Sequence, residues 1–258
     1  MPARGDSLRL VQFTDMHLYG DPDGRLRGVP TLPSFRAAVA HAERRFPARD
    51  AILLTGDLVQ DDSGGYRHVH EVLARSGVPV LCLAGNHDVP SAMSQALAQP
   101  PFQVGGSRDL GRWTIVLLDS WVENSAGGRL GEAQLEAVDA ALGARPDRHV
   151  LICLHHQPIA MQSRWLDAVG LADMAQLGAV IERHPNVRGV LWGHVHQALD
   201  TFAGGIRFMS TPSTCMQFVP LLDDFGIDPR PPAYRILELG SDGSISTEVV
   251  WADVNVTA

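Results

Sequence analysis

The chain is poor in features that would place it outside a reducing interior. It has only three cysteines in 258 residues, an odd number, with Cys82, Cys153 and Cys215 widely spaced, which excludes a dense disulfide framework. Cys82 and Cys153 sit inside apolar runs (VPVLCLAG, HVLICLHH), so buried reduced thiols and a cytoplasmic location are expected. No basic run is present and the formal net charge is −8, which removes a nucleic-acid footprint and nucleic acid as a partner. No apolar run reaches membrane-spanning length, and the first residues, MPARGDSLRLVQFTD, hold no signal core, so no membrane association is expected. Internal repeats and low-complexity linkers are also lacking.

What is there reads as a folded α/β protein. Hydrophobic residues make up 45% and charged residues 19%, enough for a full core in one domain spanning 1–258. Short apolar runs recur, each ending in a polar loop: LRLVQF (8–13), AILLT (51–55), VPVLCLA (78–84), WTIVLLD (113–119), HVLICL (149–154) and VRGVLW (187–192). Continuous apolar runs of this length read as strands buried on both faces. Helical spacing lies between them at 32–46, 63–77, 132–143 and 172–184, which implies βαβ units and largely parallel pairing. From about residue 198 the pattern changes to antiparallel strands. ALDTFAGGIRFMS (198–210) reads as a hairpin turning at Gly204-Gly205, and AYRILELGSDGSISTEVVWA (233–252) as another turning at Asp242-Gly243. A second, more antiparallel sheet with helices outside two packed sheets is expected.

Residues able to bind metal gather where the strands end. Asp15 and His17 follow the first run, Asp57 the second, Asn86 and His87 the third, His155 a later one, and His194 and His196 the next. In open α/β sheets the carboxyl ends of strands line the ligand crevice. Two carboxylates, one amide and several imidazoles exceed the three or four ligands of one zinc site and suit two ions sharing a carboxylate. Mixed N/O ligation without thiolate points to Fe or Mn, with Zn or Co as further candidates. In extended segments residues i and i+2 face one side, so Asp15-x-His17 and His194-x-His196 each offer two ligands to one place. Gly56, Gly85 and Gly193 precede the ligands and permit sharp turns. His68 and His70 form another H-x-H, but on a helix, where i and i+2 do not share a face; they read as solvated surface. His41, His149 and His184 read as surface or boundary residues.

The motifs D-M-H (15–17), G-D (56–57), G-N-H-D (85–88), H-H (155–156) and G-H-V-H (193–196), in this order, resemble those of the calcineurin-like metallophosphoesterase superfamily. LHHQPIAMQSRWLDAVGL (154–171), GHVHQALD (193–200) and TPSTCMQF (211–218) are similar, within it, to the class III cyclic nucleotide phosphodiesterases acting on cyclic AMP. Gln157 departs from the proline that many relatives carry. The resemblance implies a four-layer α/β/β/α sandwich of two mixed sheets, and metal-dependent hydrolysis of 3′,5′-cyclic AMP to 5′-AMP by hydroxide activated at a dinuclear centre. It further implies that Asp15, His17, Asp57 and His196 hold the first ion, that Asp57 bridges, and that Asn86, His155 and His194 complete the second. His87 is then the catalytic acid, with Asp88 orienting it, and substrate is met by His17, Asn86, His87 and His196. The same metal core serves a phosphodiesterase of other specificity, for glycerophosphodiesters or 2′,3′-cyclic nucleotides, with Trp165, Asp167, Cys215 and Gln217 as candidate substrate walls. A non-enzymatic scaffold is the remaining alternative, and a broken ligand set would mark it. Oligomeric state stays open, as does whether PLLDDFGIDPRPPAY (220–234) caps the site or packs at an interface.

Overall fold

The computed structural model describes residues 7–252. Twelve strands form two six-stranded sheets: β1 (Leu8–Phe13), β2 (Ala51–Thr55), β3 (Val80–Leu83), β4 (Phe102–Val104), β5 (Gly106–Leu110), β6 (Trp113–Leu117), β7 (His149–Cys153), β8 (Val187–Trp192), β9 (Leu199–Ala203), β10 (Ile206–Ser210), β11 (Ala233–Leu239) and β12 (Ile245–Trp251). The helices are α1 (Thr31–Arg45), α2 (Tyr66–Leu73), α3 (Pro90–Ala96), α4 (Glu132–Gly143), α5 (Arg164–Asp167) and α6 (Met174–Glu182). The first sheet runs β12-β11-β1-β2-β3-β4 and the second β9-β10-β8-β7-β6-β5.

Side-chain alternation along the strands builds four layers. In β1, Val11 and Phe13 join α1 and α2 residues such as Phe35, Val39 and Val69 on the outer face of the first sheet. Leu10 points the other way, into an apolar layer with Leu53, Leu81, Ile115, Leu151 and Leu191 between the sheets. On the far side of the second sheet, Val150, Ile152 and Val190 meet Val138 and Leu142 of α4 and Leu177 and Ile181 of α6. Helices therefore cover two stacked sheets, and strands buried on both faces account for the unbroken apolar runs.

Both expected hairpins form, at β9–β10 and β11–β12. They do not build a separate antiparallel sheet, however. Each adds to the edge of a parallel core: β10 pairs parallel to β8, and β11 pairs antiparallel to β1. Both sheets are mixed as a result. Among the described residues no helix is long and apolar enough to cross a membrane.

The parallel strands β1, β2 and β3 of one sheet, and β7 and β8 of the other, end on the same rim. Buried Arg235 on β11 fastens this rim across the sheets. It donates to Thr211 Oγ1 at 3.0 Å and to the Ser210 carbonyl at 2.6 Å. The Thr211 hydroxyl in turn donates to Gln12 of β1.

Candidate metal centre

The loop after each rim strand turns sharply. Asp15, His17, Asp57, His194 and His196 all adopt left-handed backbone conformations, with φ from 48° to 64°. Non-glycine residues rarely do so, and such positions concentrate where function overrides local preference. Glycines provide the clearance. A Cβ on Gly85 would strike Asp57 and its backbone, and one on Gly193 would strike Thr14 and Asp15.

These turns bring together all seven expected ligands. His17 Nε2 and His196 Nε2 lie 3.2 Å apart. Asp15 Oδ1 is 3.3 Å from His196 Nε2, and Asp57 Oδ2 is 3.9 Å from His17 Nε2. The same Asp57 oxygen lies 3.4 Å from His155 Nε2, which is 3.2 Å from Asn86 Oδ1. Asp57 thus touches both halves of the group. His194 joins His155, their ring centres 5.0 Å apart.

Backbone carbonyls set the ring tautomers. His155 Nδ1 faces Thr55 O at 2.9 Å, His196 Nδ1 faces Met216 O at 2.7 Å, and His194 Nε2 faces Val169 O at 3.1 Å. A carbonyl only accepts, so each of these nitrogens donates, and the opposite one is left to bind an ion. Imidazole nitrogens, carboxylate oxygens and an amide oxygen then converge, a donor set that suits cations. The donor set fits two ions, since Asp15, His17 and His196 offer mutually close ligand atoms on one side, and His155, His156 and His194 do so on the other.

Burial opposes charge throughout the cluster. It lowers His17 to about 4 and His156 to about 3, and it drives His194 well below the ordinary imidazole range, aided by neighbouring His156 and His155. Burial would raise Asp57 also, but facing His155 and His17 hold it well below the usual carboxylate value. Burial likewise lowers His155, yet Asp57 outweighs that and raises it to about 9.

His87 lines the cavity above the cluster, and its backbone N–H donates to Asp57 Oδ1 at 2.8 Å. Its Nδ1 lies 3.0 Å from Asp61 Oδ2 and 2.9 Å from Gln60 Nε2, leaving Nε2 as the free ring nitrogen. Asp88 does not orient His87. Its carboxylate accepts from the Leu58, Val59 and Gly85 N–H groups and from the Tyr66 hydroxyl, so it shapes the turns that carry Asp57 and Asn86. Burial, together with the Asp57 charge, pushes Asp88 up to about 7.

The cavity has a volume of about 320 Å³. Of the four candidate walls only Trp165 lines it. Asp167 accepts from the Met161 and Ser163 N–H groups, Gln217 is tied to Ser213 and Pro231, and Cys215 lies in the apolar layer outside the second sheet. Reading the sequence did not single out Arg27, Gln60, Phe218 or Phe225, which do line it. Phe225 places the 220–234 segment at the cavity mouth. His156, legible only as half of a doublet, sits against His194 with its Nδ1 2.8 Å from Ser120 Oγ. Gln157 is buried and donates from its side-chain amide to Leu166 O at 2.7 Å. His68 is buried, not solvated, and contacts Glu71 and the Gly20 carbonyl. His41, His149 and His184 are partly buried boundary residues.

Two stacked mixed sheets with carboxylates and imidazoles on their common rim define a metal-binding phosphoesterase architecture. The chain belongs to the calcineurin-like phosphoesterase family, whose profile matches residues 8–198. It is 39% identical over 246 residues to the 3′,5′-cyclic adenosine monophosphate phosphodiesterase CpdA of Vibrio vulnificus, covering 95% of this chain and 90% of that one. The protein of the same name from Escherichia coli K12 is 38% identical over 252 residues, covering 96% and 92%. Among solved structures, a dimetal phosphatase from Danio rerio superposes with a TM-score of 0.67 at 14% identity, covering 95% of this chain and 99% of that one. GAP50, described as the anchor in the inner membrane complex of Plasmodium, gives 0.68 at 11% identity over 96% and 86%. The architecture alone therefore does not separate enzymes from anchors; the site must.

Proposed function

We infer that the chain is a 3′,5′-cyclic-nucleotide phosphodiesterase that hydrolyses cyclic AMP to 5′-AMP at a centre of two metal ions. One observation carries this reading: the residues expected to ligate converge in a chain that matches cyclic-AMP phosphodiesterases along nearly its whole length. Asp15, His17, Asp57 and His196 would hold one ion and Asn86, His155 and His194 the other, with Asp57 shared. Fe or Mn suits these nitrogen and oxygen donors, with Zn or Co as further candidates. Two bound ions supply Lewis-acid polarisation of the phosphodiester and acidification of water.

The protein's own groups do the rest. His17, Asn86, His87 and His196 face the cavity and contact the phosphate. Its Nδ1 engaged by Asp61 and Gln60, His87 presents Nε2 to the leaving 3′ oxygen and donates the proton that completes P–O cleavage. The His87 N–H to Asp57 bond keeps that imidazole in register with the shared carboxylate. The His194 N–H donates to both Asp15 oxygens at 3.1 Å, coupling the two halves of the centre. We read residues 1–258 as one phosphoesterase domain. Three buried unpaired thiols suit a reducing compartment, the cytoplasm.

Steady-state rates with Mn²⁺ or Fe²⁺ on cyclic AMP, cyclic GMP, 2′,3′-cyclic AMP and glycerophosphodiesters test the reading. It predicts the highest kcat/KM on cyclic AMP. A preference for glycerophosphodiesters or 2′,3′-cyclic AMP would replace it with the alternative specificity.

A further inference from the structure

Beyond the metal ligands, rings form a wall of the same cavity. Phe218 lies flat on the His196 imidazole, ring centres 4.1 Å apart and planes 9° from parallel. Trp165 meets Phe218 edge-on at 5.0 Å, and Phe225 meets each of them at 5.4 Å. Two features exceed what packing needs. Phe225 remains 42% exposed at the cavity. The indole Nε1 of Trp165 is buried without an acceptor, an unmet donor of the kind that native interiors rarely keep without a reason.

Arg27 reaches the same wall from the opposite end of the chain. It sits in the two-residue turn between Arg25–Leu26 and Val29–Pro30, with φ of 48° at Arg27 and 89° at Gly28. Turns with both central residues left-handed favour Asn and Gly, and a long side chain there carries strain. The Arg27 guanidinium carbon lies 4.6 Å from the Phe225 ring centre. Among the described residues it has no hydrogen-bond or ion-pair partner, and it is the one arginine lining the cavity. An unpaired cation is thus held at a strained position, against an exposed ring, over a site that takes an anion.

We propose that Arg27, Phe225 and Trp165 form a purine-recognition wall that lets the enzyme distinguish a cyclic nucleotide from other phosphodiesters. The proposal rests on the cyclic-AMP reading above. A centre that binds phosphate accepts any phosphodiester, so selectivity must come from groups outside it. A purine offers a π face to Phe225 and to the guanidinium. Trp165 backs Phe225 edge-on and holds that ring at the cavity. Arg27 also draws the anionic substrate toward the cavity.

The test compares Arg27→Asn, Phe225→Leu and the parent protein on two cyclic phosphates, cyclic AMP and the base-free 3′,5′-cyclic phosphate of 1-deoxyribose. Equilibrium dialysis of 5′-AMP and ribose 5-phosphate gives a readout independent of turnover. Asn suits the left-handed turn, so Arg27→Asn should keep or raise the melting temperature. Each variant should lower the ratio of kcat/KM for cyclic AMP to that for the base-free substrate by about 5- to 100-fold, the usual scale for losing one base–aromatic contact. The Kd for 5′-AMP should rise more than that for ribose 5-phosphate. Equal losses on both substrates, or no loss in either variant, would overturn the wall while leaving the cyclic-AMP reading intact. A parent protein inactive on cyclic AMP with either metal would overturn both.

Discussion

The Nδ1 atom of His155 lies 2.9 Å from the carbonyl oxygen of Thr55, the last residue of β2. One backbone atom of the first sheet thereby fixes the tautomer of a ring carried by the second. His155 extends from the end of β7, and its Nε2 is turned toward Asp57 and Asn86. The inter-sheet packing and the metal-binding chemistry are one construction.

The tautomers can be read directly. Long-range ¹H–¹⁵N spectra of the metal-loaded protein should place the ring proton on Nδ1 for His155 and His196 and on Nε2 for His194. A diamagnetic ion such as Zn²⁺ makes the spectra accessible. The opposite tautomer at any of the three would contradict the carbonyl contacts on which the ligand assignment rests.

Asp57→Asn should remove turnover and release at least one ion. The amide keeps the shape of the side chain but carries no charge to offset two cations. Losing a group that merely supports a ligand costs about 10–100-fold in metal affinity, and neutralising a shared ligand should cost more. Metal content by plasma emission and rates on cyclic AMP check this; a variant that kept two ions and most of its activity would refute the bridge.

His87→Ala should lower kcat on cyclic AMP by about 10²–10⁴-fold, the range for general acid–base groups, while both ions stay bound. The defect should shrink on bis(p-nitrophenyl) phosphate, whose leaving group needs little protonation. Loss of an ion, or an equal defect on both substrates, would make His87 a ligand or a binding residue.

The three thiols should be free and silent. Cys82 lies outside the first sheet, Cys153 between the sheets and Cys215 outside the second, so no two can pair. Burial pushes all three well above the ordinary thiol range, Cys215 to about 12, and the thiolate is the reactive form. Ellman titration should count three in denaturant and almost none in the native protein. A missing pair in denaturant would show a disulfide.

The sequence made the ligands legible because each follows an apolar run, and strands buried on both faces leave that trace. Gly85 and Gly193 were legible because each precedes a ligand, and the structure gives the reason: a Cβ would strike Asp57 at Gly85 and Asp15 at Gly193. Strand β5 left no such trace, since its residues GSRDL are exposed or nearly so and show no alternation. Phe225 and Arg27 were hidden because a contact between a two-residue turn near the start and a loop near the end has no local period. Cys215 and Gln217 share a loop with the Met216 carbonyl that holds His196, so their neighbourhood was right. Their side chains turn away from the cavity, Gln217 to brace its own loop and Cys215 into the core. His68 misled because its sequence spacing says nothing of the loop at Gly20 that covers it.

Anomalous diffraction from crystals grown with Mn²⁺ tests the central assignment most directly. Two peaks should appear about 3.5–4 Å apart, one bounded by Asp15, His17 and His196, the other by Asn86, His155 and His194, with the Asp57 carboxylate touching both. A single peak, or two peaks without Asp57 between them, would contradict the dinuclear centre.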